Sequence, residues 1–169
     1  MNWLDIVLFV IIAAAAGIEM VRGFGRAVLD ALALYGALWI AEAVASPIAD
    51  HVHFNPSHSV NHCVILALLL LGLGALAIVL SRFVYEATLI NAGMFEGLLG
   101  ICAGVAVGMV AAHGLVRVLS LSDPTGGMLA AVNNSGLGGE MLSFSTYHSV
   151  LDTLTNLTAG SHDLSSANS

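Results

Sequence analysis

The chain has no lysine. Its basic side chains other than histidine are four arginines, Arg22, Arg26, Arg82 and Arg117. Eleven acids outweigh them and set the formal net charge at −7. A surface that grips phosphates needs clustered Lys and Arg, so no nucleic-acid partner is expected. Charge of either sign is scarce too, at 9% of residues against about 25% in an average soluble domain. Cysteine is limited to Cys63 and Cys102, both within apolar runs, where a free thiol behaves as a small hydrophobe. No CxxC spacing points to a metal or redox centre. There is no G-x-S-x-G, Walker loop or H-E-x-x-H, so neither enzymatic activity nor a cofactor is expected. At 169 residues the chain suffices for one small helical bundle without an additional catalytic domain.

What fills the chain is apolar. Hydrophobic residues are 58% of it and mean hydropathy is +0.93. Cys63 to Leu80 reads CVILALLLLGLGALAIVL, 18 residues without a charge. As a helix this run is about 27 Å long, close to the thickness of a bilayer's hydrocarbon core. Backbone groups in lipid must pair within their own segment, so the other apolar runs are expected to be helices as well. The expected fold is all-α, an integral membrane bundle of about four transmembrane helices followed by a flexible polar C-terminal tail.

The expected spans are Trp3–Val21, Ala27–Ala45, Cys63–Arg82 and Gly97–Leu119, so residues 1–121 form the membrane domain. The first span lacks a basic n-region and carries Asp5 there, unlike a cleavable signal peptide. Arg22-Gly23-Phe24-Gly25-Arg26 is a tight, glycine-punctuated link. Pro47 is expected to stop the second span. Asp50 to Asn61 then reads as a polar loop, and Glu86 to Glu96 as a helix extension or an interfacial turn. Residues 122–169 turn rich in Ser, Thr, Asn and Gly and read as a mostly flexible tail. Within it, Tyr147, Val150, Leu151, Leu154 and Leu157 fall at helical spacing over 146–159. The plainer reading is a weak, partly populated helix, and the alternative a short amphipathic helix that docks or lies at the membrane interface.

Arginine bias sets the expected orientation. With four spans, Arg22, Arg26 and Arg82 share one side, the cytoplasmic one, and Arg117 lies near the other. The N-terminus and the tail are then non-cytoplasmic.

Ionisable groups inside spans are costly and mark sites of interest. Glu19, Arg22, Arg26 and Asp30 surround the first link at i,i+3 and i,i+4 spacings, and pair along the helix or across the hairpin. The plainer reading is an ion-pair cluster that anchors the hairpin. The alternative is a proton or ion relay through Glu19, Asp30 and Glu42, with Glu42 the leading candidate because no Arg lies near it in sequence. His113 and Arg117 share a face of the fourth span. In the loop before the third span, His51, His53, His58 and His62 have spacings that suit metal ligands, yet lack companions to complete a shell. A solvated loop is the plainer reading, and no metal is expected.

Gly100, Gly104, Gly108 and Ala112 recur every four residues and leave one helix face nearly bare. Small residues let membrane helices approach closely. Ala33, Ala37, Ala41 and Ala45 form a matching stripe on the second span. The two stripes are expected to pack together within one chain or to build a homo-oligomer.

The opening Asn2-Trp3-Leu4-Asp5-Ile6-Val7, with Gly17, Arg22-Gly23-Phe24, Arg26, Asp30 and Gly36, resembles the colicin V production (CvpA) family. Glu96-Gly97-Leu98-Leu99-Gly100, with Gly104 and Gly108, resembles that family's second glycine-rich block, although Glu96 stands where the family often has Asp. The likeness covers roughly residues 2–120. It implies a bacterial inner-membrane protein of about four spans, tied to bacteriocin production or export and to envelope fitness. Arg22 and Gly23 carry over as motif positions, without an assigned chemical role. A membrane accessory or scaffold protein, with the bilayer and other envelope proteins as partners, is the expected function. The alternative is a small proton-coupled transporter or channel.

Overall fold

The computed structural model describes residues 2–52, 57–88, 95–123 and 126–143. Four long helices carry the fold: α1 (Trp3–Arg22), α2 (Phe24–His51), α3 (His58–Thr88) and α4 (Glu96–Ser122). Two short ones follow, α5 (Gly127–Asn133) and α6 (Gly136–Ser143). No strand occurs among the described residues. Each of the first four is long and apolar enough to cross a membrane, as expected of a multi-pass membrane protein.

Local signals explain the helix ends. The Asn2 backbone N–H donates to Asp5 Oδ2 at 2.9 Å and so starts α1. One residue, Gly23, separates α1 from α2. Its φ of +95° and ψ of 160° belong to a region that side chains other than hydrogen seldom enter. Pro47 does not stop α2. The helix continues through it to His51, one further turn, in which His51 Nδ1 lies 2.8 Å from the Pro47 carbonyl oxygen. A proline costs a helix one N–H donor without necessarily ending it, and membrane helices tolerate the loss. The expected loop is correspondingly short. Asp50 and His51 belong to α2, and α3 already begins at His58. At 31 residues, α3 exceeds the span of the hydrocarbon core, and its extension to Thr88 takes up part of the Glu86–Glu96 segment.

The helices pack as two antiparallel pairs, α1 with α4 and α2 with α3, joined where α2 lies against α4. On one side α1 lies against α4, and on the other α2 packs between α3 and α4. Leu4 and Leu8 of α1 form one core with Ala112 and Val116 of α4, Val132 of α5 and Met141 of α6. Ala41, Ala45 and Ala49 of α2 form the second with Ile65 and Leu66 of α3. Phe9, Trp39, Leu71 and Phe83 point outward. Small residues inside and large apolar ones outside is the arrangement expected when lipid is the solvent.

The two small-residue stripes do not meet. The glycine line of α4 packs on α1: a Cβ at Gly104 would lie 2.7 Å from Ala16 Cα, and one at Gly108 would lie 2.6 Å from Ile12 Cα. Ala41 and Ala45 of the alanine stripe enter the core formed with α3, against which Val118 and Leu121 of α4 also pack. Periodicity identifies a bare face and says nothing of what covers it.

Packed structure also runs on past residue 121. Helices α5 and α6 dock on α4, and α6 also touches α1. The 146–159 segment and the rest of the expected tail lie outside the described residues.

Candidate functional site

Two groups of charged residues sit in the bundle, one toward each end. The first is at the α1–α2 hairpin. Glu19 and Asp30 are 2% and 1% exposed. Glu19 is held there because the glycine line lets α4 press against it, with Gly100 facing the Glu19 backbone carbonyl and Gly104 its Cβ. Arg22 bridges the two acids, with Nη1 3.0 Å from Glu19 Oε1 and 3.6 Å from Asp30 Oδ2. Arg26 Nε approaches Asp30 Oδ2 at 3.9 Å. The Ser81 hydroxyl of α3 donates to Asp30 Oδ1 and accordingly ties the third helix to the cluster. Pairing therefore runs both along the helices and across the hairpin. Glu19 Oε2 and Arg26 Nε are buried without a hydrogen-bond partner among the described residues. Glu96 completes the cluster. A Cβ on Gly23 would fall 2.6 Å from its Oε1, but that is the movable end of a long side chain, so it is the backbone at φ +95° that requires glycine here.

The second group lies between α2 and α4. Arg117 Nε donates to Glu42 Oε1 at 2.7 Å. His113 Nε2 is 4.0 Å from the same oxygen, and His113 Nδ1 lies 2.9 Å from the Met141 carbonyl oxygen of α6. The expectation that Glu42 lacks a nearby cation is therefore corrected. Its partner comes from 75 positions away in sequence, where helix periodicity has no reach. The pair is half-buried, with side chains 42% and 31% exposed.

Asp5 has a structural task that sequence reading missed. Besides the Asn2 N–H, it accepts hydrogen bonds at Oδ1 from Ser135 Oγ at 2.6 Å and from the Leu137 N–H at 3.1 Å. Asn2 Nδ2 donates to the Ala131 carbonyl oxygen at 2.8 Å. The start of α1 thus clamps the α5–α6 turn. The Ser135-Gly136 pair reads as loop punctuation, and nothing in its neighbourhood signals a contact with residue 5.

Of the loop histidines, the structure describes the side chains of His51 and His62. His51 is exposed at the end of α2, and His62 is half-buried on α3. His53 and the side chain of His58 lie outside the described residues. Among the described residues, no three or more His, Cys, Asp or Glu side chains converge on a metal position.

The family model described as Colicin V production protein matches residues 4–146, most of the chain. No curated protein and no solved structure matches it.

Proposed function

The chain belongs to the colicin V production family, and on that premise we propose that it is a non-enzymatic accessory or scaffold protein of the bacterial inner membrane that supports bacteriocin production or export. The observation that carries this reading is the pairing of its intramembrane acids. Glu19, Asp30 and Glu42 each face an arginine, and Asp5 is occupied by three donors. Charges so matched serve to lock helices together. A proton carrier needs an acid that can change charge without tearing such a lock. The N-terminus and the segment after α4 lie, on this reading, on the non-cytoplasmic side, with Arg22, Arg26 and Arg82 opposite. The partners are other envelope proteins or a second copy.

His113 favours the second reading, a small proton-coupled transporter. Its imidazole Nε2 stands 4.0 Å from Glu42 Oε1, which places a second group able to carry a proton beside the acid. Replacement of the chromosomal copy by Glu42→Gln, scored by toxin output and by the set of envelope proteins cross-linked to the chain, tests the proposal. Preserved output and an unchanged cross-linked set support the scaffold. Loss of output from a normally inserted variant with an unchanged set supports the transporter.

A further inference from the structure

Beside the Glu42–Arg117 pair runs a groove. Leu34 and Leu38 of α2, Leu70 and Gly74 of α3, and Val110 and Gly114 of α4 help wall a partly open cavity of about 380 Å³ with an apolar lining. In a membrane such a groove is covered by hydrocarbon and not by water. One end is marked by charge. Arg117 lies one helical turn beyond Gly114 and next to Val118, another wall residue. Its Nε is committed to Glu42, while its two terminal nitrogens have no partner among the described residues. Arg117 is five residues from the end of α4 at Ser122, about 7.5 Å of helix, so its fork can reach headgroup depth. The other three arginines sit at or near the opposite end, at the α1–α2 hairpin and late in α3.

We propose that this groove and Arg117 form a binding site for one anionic phospholipid. An acyl chain lies along Leu38, Leu70 and Gly114, and the headgroup phosphate takes two parallel N–H groups from the Arg117 fork. Glu42 orients that fork through Nε and, as a like charge near the phosphate, restrains the affinity. A zwitterionic lipid supplies the same tail with its phosphate charge balanced. Free phosphate supplies the charge without a tail.

Native mass spectrometry of the full chain in detergent tests this, with phosphatidylglycerol, phosphatidylcholine of the same chains, or inorganic phosphate added. The site predicts several-fold preferential retention of phosphatidylglycerol over phosphatidylcholine. Arg117→Gln should abolish the preference, and Glu42→Gln should preserve or raise it. Gly114→Leu should reduce retention of both lipids. A Cβ there already stands 3.5 Å from Leu70 Cδ1 and 3.6 Å from Leu38 Cδ1, so the larger group must enter the groove. Ala111→Leu blocks the same groove from its exposed wall and serves if Gly114→Leu fails to fold. Equal retention of the two lipids overturns the proposal. So do an undiminished preference in Arg117→Gln, a lowered one in Glu42→Gln, or displacement of phosphatidylglycerol by inorganic phosphate.

Discussion

Adding one methyl group to Gly104 should part the bundle's central seam. The new Cβ would stand 2.7 Å from Ala16 Cα, 2.9 Å from Glu19 Cβ and 3.1 Å from the Ala15 carbonyl oxygen. Carbon atoms rest at about 3.5–4.0 Å, so α1 and α4 must separate by roughly 1 Å at this level. Two of the three obstacles are backbone atoms, which no rotamer change can move aside. Overpacking of this kind costs about 1–3 kcal/mol. Working against it, Ala in place of Gly within a helix gains about 0.5–1 kcal/mol. Gly17→Ala isolates that gain, because no atom lies within 4 Å of its added Cβ. Gly114→Ala meets only ordinary contacts, the nearest at 3.5 Å. Thermal unfolding in one detergent should therefore rank Gly17→Ala at or above the wild type and Gly114→Ala close to it, with Gly104→Ala well below. A cysteine pair across α1 and α4 should also cross-link more slowly in Gly104→Ala. Equal midpoints for Gly104→Ala and Gly17→Ala would refute the close approach of the two helices.

Three further outcomes follow from particular contacts. Gly23→Ala should destabilise the bundle by about 1–3 kcal/mol, because its backbone lies where a Cβ is strained. Truncating the neighbouring Glu96 should not rescue it in unfolding experiments. Asp5→Ala removes the acceptor for Ser135 and Leu137, so limited proteolysis should cut residues 133–143 sooner while α1–α4 stay resistant. Equal cleavage rates would contradict the clamp. A cysteine placed at Phe24 should be labelled from the cytoplasmic face alone, and labelling from outside intact cells would invert the orientation.

The spans were legible because a bilayer demands long apolar helices, and that demand is written in composition. Glu19, Arg22, Arg26 and Asp30 were legible as a cluster because they lie within eleven positions of one another, where helix spacing and a short hairpin bring them together. Ser81 and Glu96, which reach them from α3 and α4, were not. Glu42 and Arg117 were not, because their meeting depends on α2 lying parallel to α4. The glycine line announced a tight contact and left its partner open. Once α1 is placed, Ile12, Ala15 and Ala16 complete the seam. Helices α5 and α6 escaped notice for a different reason. GMLAAVN and GLGGEMLS are only seven and eight residues long, too short to stand as helices alone, and they depend on α4, Asp5 and Asn2 to hold them.

The central claim is that the intramembrane acids act as structural partners and not as carriers. Proton flux through purified protein in liposomes, recorded across a pH gradient for the wild type and for Glu42→Gln, tests it most directly. The account expects neither protein to exceed empty liposomes. A wild-type flux that depends on pH and vanishes in a normally folded Glu42→Gln would contradict it.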